Sequence, residues 1–195
     1  MVALQQDGVL NVMNRRGQMY PGFPIDLKAQ LNDGLFVDVG NDFTSTRLIA
    51  VSEEGEVIEV NLNAKIVRRE QLYKPTKESK FWLVNDALKK TYVIVRQEYD
   101  KMSILNRKGE IIMEKSLNSS GNLFVQYYSF SSDNQIIVIV DREQEFAYVY
   151  GKDNRQITFQ PLESSQAIGL LYSSGQKEYK LFKNFGNNFS VETFK

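Results

Sequence analysis

A hairpin written into Gly8–Leu27 returns along the chain, and that return limits the possible folds more than any other feature. In GVLNVMNRRGQMYPGFPIDL an alternating strand (Val9, Leu10, Val12) meets the turn Asn14-Arg15-Arg16-Gly17, then runs on into Pro21-Gly22-Phe23-Pro24. A strand, a short turn closed by Gly and a second strand spell a β-hairpin. Lys101–Leu117, KMSILNRKGEIIMEKSL, has the same form, with Asn106–Gly109 as its turn. Looser copies at Asn61–Ala64 and Gly151–Asn154 complete a series whose turns end at residues 17, 64, 109 and 154. An all-β repeat of roughly 45 residues is the mark of propeller blades, each a four-stranded antiparallel meander. Gly or Asn closing such a turn takes positive φ without strain, so Ala64 is the exception.

A second ruler agrees with the first. Ahead of the hairpins stand Leu48-Ile49-Ala50-Val51, Tyr92-Val93-Ile94-Val95 and Ile136-Ile137-Val138-Ile139-Val140. Continuous apolar runs, rather than alternation, predict strands buried on both faces between neighbouring blades, with Ile137 and Val138 fully buried. Ahead of those again lie the predicted innermost strands at Leu35–Val37, Phe81–Val84, Leu123–Val125 and Ile168–Leu171. Each blade therefore reads inner strand, buried strand, hairpin strand, outer strand. Asn32-Asp33-Gly34 and Ser132-Asp133-Asn134 read as turns.

Met1–Leu4 aligns with Leu48–Val51 when Gly8 is set on Gly55, so the chain opens on a second strand. At the far end Glu178–Phe182 and Phe189–Phe194 read as second and third strands with no outer strand behind them. The expected organisation is one propeller segment, 1–195, with blade pieces near 1–27, 28–73, 74–117, 118–162 and 163–195. Open sheet edges at both ends invite pairing, and native sheets avoid leaving such edges bare. Two expectations follow: the chain is an excised part of a larger ring, or its edges associate with another copy.

Composition narrows the function. Lys and Arg total 24 and Asp and Glu total 24, so no global field steers the chain toward nucleic acid. There is no Cys and no His, which removes thiolate chemistry, imidazole metal sites and His-dependent triads, so an enzyme is not expected. No apolar run is long enough to span a membrane. Neither a metal nor another cofactor is expected. Asp38 with Asp42, and Glu53 with Glu54, are carboxylate neighbours with nothing to hold a catalytic separation. Asn-x-Ser sequons at Asn118 and Asn188 are short enough to occur by chance.

The hairpin with its trailing Pro21-Gly22-Phe23-Pro24 resembles the repeats of quinoprotein-like and FG-GAP/VCBS-type propellers. The run through Glu163-Ser164-Ser165 and Gly169-Leu170-Leu171-Tyr172 is similar to the C-terminal region of large bacterial envelope-associated proteins. The resemblance implies a propeller fold, a multi-domain parent and a place in the cell envelope or periplasm. It implies no chemistry, because the Asp-x-Asp-Gly-x-x-Asp calcium loop and the Trp-docking signatures of those families are absent.

Two groups of residues remain as binding candidates. Turns between second and third strands are acidic (Asp7, Glu53, Glu54, Glu56, Glu98, Asp100, Asp141, Glu143, Glu145). Those between third and fourth strands are basic (Arg15, Arg16, Lys65, Arg107, Lys108, Lys152, Arg155). In a meander these turn sets lie at opposite ends of the strands, so Arg16 and Glu54 should face opposite ways. Arg15, Arg16, Arg107 and Lys108 form a basic rim suited to an acidic protein partner; solvated turns that keep the blades soluble are the plainer reading. Trp82, Tyr127 and Tyr128 lie on or beside inner strands, where they either stack on a glycan or peptide or fill the core. The expected function is a non-enzymatic interaction or scaffold module; the alternative is a carbohydrate- or peptide-binding lobe with its ligand near the central channel.

Overall fold

Val, Ile, Tyr and Phe crowd the predicted strands, and strands are what these stretches become. The computed structural model describes residues 2–117, 121 and 123–195; within them lie eighteen strands and no helix. A first sheet holds β1 (Val2–Leu4), β2 (Val9–Val12) and β3 (Ile25–Asp26), and a second holds β4 (Leu31–Asp38), β5 (Arg47–Ser52), β6 (Glu56–Asn61) and β7 (Ile66–Gln71). The third is β8 (Ser79–Asn85), β9 (Tyr92–Glu98), β10 (Lys101–Leu105) and β11 (Ile111–Ser116). The fourth comprises β12 (Leu123–Ser129), β13 (Gln135–Asp141), β14 (Phe146–Gly151) and β15 (Leu162–Glu163), the fifth β16 (Gly169–Ser173), β17 (Glu178–Phe185) and β18 (Asn188–Phe194). Each sheet is an antiparallel meander in chain order, and together they are the blades of a partial β-propeller.

The repeating turn owes its shape to two positions. In all four copies the last residue donates its N–H to the carbonyl of the first, at 3.1 Å for Gly17, 3.1 Å for Ala64, 2.9 Å for Gly109 and 3.0 Å for Asn154. Those last residues sit at φ of 76°, 56°, 80° and 64°. At the first position the Asn side chain accepts two backbone N–H groups: Arg16 and Gln18 on Asn14, Asn63 and Lys65 on Asn61, Lys108 and Glu110 on Asn106. Ala64 holds the left-handed conformation at a cost that Gly escapes. Ala64→Gly should therefore raise stability by roughly 0.5–1 kcal/mol, read as a higher urea midpoint at unchanged slope.

Why the second strands are apolar throughout is plain from the packing, since each has a blade on both sides. Leu48 and Ala50 face Leu10 and Val12 of the first sheet, while Ile49 and Val51 face Phe81 and Leu83 of the third. Val93 and Val95 meet Val125, Tyr127, Ile137 and Ile139, and the other side of β13, Ile136, Val138 and Val140, meets Leu170 and Leu181. Ile137 and Val138 are 4% and 0% exposed, as their apolar run predicts.

Two local expectations give way. Asn32-Asp33-Gly34 is no turn: it lies inside β4 as a bulge, where the register with β5 jumps from Leu31↔Ser52 to Leu35↔Ala50. Gly34 sits at φ 133°, and a Cβ there would come within 2.3 Å of the Leu83 carbonyl oxygen, so the missing side chain lets β4 lie against β8. The strand expected behind the Asn14–Gly17 turn is likewise cut short: past the Met13–Met19 bridge only Ile25 and Asp26 pair with β2, and Phe23 turns inward into the cluster that holds Leu10, Leu48 and Ile58. Prolines cannot donate to a ladder, and Pro21, Pro24, Pro75 and Pro161 all fall outside the strands.

Candidate functional site

The inner strands β4, β8, β12 and β16 are tied to one another by side chains rather than by a continuous ladder. Asn32 donates its amide to the Phe81 carbonyl at 2.6 Å, and Asn85 donates back to the Leu35 carbonyl at 3.1 Å. Gln126 uses both ends of its amide on Ile168, donating to the carbonyl at 2.9 Å and accepting the N–H at 2.7 Å. Between β8 and β12 the link is a carboxylate. Asp86, 1% exposed, accepts the Ser129 N–H at 2.7 Å and the Leu88 N–H at 3.1 Å, beside a parallel bridge from Asp86 to Tyr127. Charge-assisted bonds of this kind are the strong ones, and cutting one strands a buried donor. Asp86→Ala is expected to cost about 2–3 kcal/mol in urea unfolding, and Asp86→Asn, which keeps an acceptor for Ser129, clearly less.

Beside this clip a cavity of about 410 Å³ opens between β8 and β12, lined by Trp82, Val84, Asn85, Phe124, Tyr127 and Tyr128 among others. The three aromatic candidates of the sequence do come together here, but not as equals. Tyr127 and Tyr128 are 4% and 7% exposed and, being adjacent on a strand, point to opposite faces, into different core clusters. The Tyr128 hydroxyl is engaged by the Ile168 carbonyl, and burial pushes the phenols of both tyrosines above their ordinary pKa. Trp82 alone is half-buried. The Oδ1 of Asn85 is buried and accepts no hydrogen bond from the described residues.

The turn charges occupy two opposite ends, as the meander requires. The Gln6 carbonyl takes the Leu31 N–H and the Gln30 carbonyl takes the Glu53 N–H, which gathers the β1–β2 and β5–β6 turns at one end. At the other end Leu62 bonds Phe43, and Gly22 approaches Ala64 so closely that a Cβ on it would meet the Ala64 Cβ at 2.8 Å. Arg16 and Glu54 thus stand at opposite ends of their strands. The acidic end is diluted by the links between blades, which bring Lys28, Lys74 and Lys77 past it.

Of the four basic rim candidates, Arg107 is withdrawn from the surface chemistry. Its guanidinium pairs with Asp38 and lies 5.5 Å and 5.3 Å from the ring centroids of Phe36 and Tyr92, bracing the third blade on the second. That also accounts for Asp38. Its supposed companion Asp42 instead closes its own loop: the Thr44 hydroxyl and the Ser45 N–H hold its carboxyl down to about 2. Lys152 reaches Asp133 at 3.3 Å and Arg155 pairs with Asp153 at 3.0 Å. Arg15, Arg16, Lys65 and Lys108 are exposed and stand in no ion pair among the described residues. Within the described residues no group of three or more acidic side chains is placed to hold a metal ion. No described helix could cross a membrane. The sequon at Asn118 lies outside the described residues; Asn188 is exposed on β18.

No family model matches the chain, and no curated protein does, so the resemblance to FG-GAP/VCBS-type repeats gains no sequence support. Solved structures do match. A protein of unknown function from Bacteroides caccae superposes with TM-score 0.53 at 8% identity, over 97% of this chain and 66% of that one. Two structures of BBS1N in complex with ARL6DN superpose with TM-scores of 0.54 and 0.56 at 11% and 12% identity. They are matched over 99% and 97% of this chain and 55% and 59% of theirs. The chain thus spans just over half to two thirds of the structures it matches. At such identities the likeness is one of fold, and the fold is that of an all-β, partial propeller.

Proposed function

We propose that the chain is a non-enzymatic protein-interaction module, a propeller segment of a larger envelope-associated protein that receives an acidic partner on its basic end. The observation that supports it is the set Arg15, Arg16, Lys65 and Lys108, exposed on turns whose backbone is pinned by Asn side chains and free of intramolecular ion pairs. Rigid turns carrying free cations present charge at little ordering cost, which favours fast, salt-sensitive docking. BBS1N, which shares the fold, is seen in complex with a protein, ARL6DN.

A polyglutamate peptide is the direct probe. Its binding, followed by fluorescence anisotropy, should weaken as salt rises and fall at least tenfold in an Arg15→Glu, Arg16→Glu, Lys108→Glu variant. Binding that ignores salt and these changes would remove the basis of the reading. The Arg107→Ala change belongs to a different class and should lower stability rather than affinity alone.

A second reading, a glycan or peptide seated near the channel, has its own support in the cavity with half-buried Trp82. A panel of oligosaccharides and peptides would favour it if saturable binding vanished with Trp82→Ala. Self-association through an open sheet edge belongs with the interaction reading.

A further inference from the structure

β8 and β12 are joined at the basic end, where Asp86 bridges Tyr127 and the Ala87 N–H bonds the Tyr127 carbonyl at 3.0 Å. Asn85, Ala87 and Tyr127 are also walls of the cavity of about 410 Å³, so the link 86–91 is the rim of that cavity. Both walls belong to four-stranded blades in the middle of the chain. The link is held firmly. The Asp86 N–H bonds the Thr91 carbonyl at 2.9 Å, the Lys89 N–H returns to the Asp86 carbonyl at 2.7 Å, and the Leu88 N–H sits on the Asp86 carboxylate. It carries one apolar side chain and two cations outward. Leu88 is 61% exposed, and Lys89 and Lys90 are exposed and stand in no ion pair among the described residues. The carboxylate of the neighbouring β12–β13 link, Asp133, is paired with Lys152.

The polar groups of the walls already have partners. Gln126 uses both ends of its amide on Ile168, and the Tyr128 hydroxyl is engaged by the same carbonyl. The Tyr127 phenol bonds Ser129, and Asn85 gives its amide N–H to Leu35, while its Oδ1 is buried. A sugar seated here would lose water from its hydroxyls and find few groups to replace it, which is costly. A hydrocarbon side chain carries no such penalty. Half-buried Trp82, with Val84 and Phe124, offers it an apolar surface.

We propose that this cavity takes one large apolar side chain from an acidic peptide segment, whose flanking carboxylates rest on Lys89 and Lys90. The apolar side chain lies against Trp82, and Leu88 covers it from the rim. Charge fixes the class of partner, since the rim presents two cations with no carboxylate of its own to satisfy them. The hydrogen-bonded link adds little ordering cost on binding. This inference rests on the reading of a ligand near the channel, and it selects the peptide over the glycan.

Two labelled peptides test it on the full chain, Glu-Glu-Phe-Glu-Glu and Glu-Glu-Ala-Glu-Glu, with binding followed by fluorescence anisotropy. The Phe peptide should bind roughly tenfold more tightly. That advantage should vanish in Trp82→Ala, while the salt dependence of both peptides persists. Lys89→Glu combined with Lys90→Glu should weaken both peptides. Trp82 is the only tryptophan in the chain, so unlabelled peptide gives a readout that needs no variant. Its emission should shift to the blue with the Phe peptide and not with the Ala peptide. The Arg15→Glu, Arg16→Glu, Lys108→Glu variant should leave the ratio of the two affinities unchanged, which separates this test from that of the basic end. Peptides that bind equally overturn the proposal, as does a Phe advantage that survives Trp82→Ala. If an oligosaccharide then binds in a manner lost with Trp82→Ala, the channel reading stands without this inference. If neither class binds there, that reading fails as well.

Discussion

Phe81→Ala is expected to lower stability by about 3–5 kcal/mol, read as a fall in the urea midpoint at unchanged slope. Phe81 is completely buried, on the inner strand of the third blade, and its ring fills the seam with the second. It packs with Ile49, Val51 and Val57, and it also lies against Gly55 so tightly that a Cβ there would stand 2.8 Å from the ring. The Arg96 guanidinium, ion-paired with Glu98 at 2.8 Å, sits 5.9 Å from the same ring. Truncation removes the transfer free energy of the ring and leaves a hole that the walls cannot close. Each wall is a sheet held by its own ladder, so relaxation must bend a whole blade. Against a total of about 5–15 kcal/mol, this one side chain carries a large share. A loss below about 1 kcal/mol would mean that the seam collapses freely and that the blades are not stiff units.

Ile137→Ala should cost about 2–5 kcal/mol by the same measurement. Ile137 sits on β13 and packs with Val93, Val95, Ile104 and Val125 across the seam of the third and fourth blades. Ile137→Val, which removes one methylene, should cost about 0.5–1.5 kcal/mol, so the pair separates cavity formation from mere change of shape. A change under half a kcal/mol for the alanine variant would contradict the placement of β13 between two blades.

Ile137 was legible from the sequence, whereas Phe81 was placed there only on an inner strand. A strand with a neighbouring blade on each face cannot alternate apolar with polar, so it announces itself as an unbroken aliphatic run. The hairpin turns were legible because their rule is local: an Asn side chain reaches N–H groups two and four residues on, and the closing residue takes positive φ. Ala64 obeys the geometry while breaking the residue preference, held there by the ladder on both sides of it. The role of the first Asn in each turn was open to the same reasoning, since its spacing to the closing residue repeats at 14, 61 and 106.

The candidate site was less legible. Trp82, Tyr127 and Tyr128 share a cavity wall, yet the register of β12 gives the two tyrosines to opposite faces and to the core. Of the rim cations, Arg107 looks like Arg15 and Arg16 in sequence. It differs only because Asp38, Phe36 and Tyr92 come under it from another blade, with Asp38 separated from it by 69 residues. Asn32-Asp33-Gly34 reads as a turn by composition and becomes a strand bulge because β4 must approach β8.

The amino-acid order by itself determined the period, the identity of the buried strands and the form of each hairpin, all of which depend on residues within a few positions of one another. The tertiary structure decided which charges remain free and which amides clip blade to blade. Those outcomes depend on distances between segments tens of residues apart, set only when one blade packs on the next, and local preference carries no information about them.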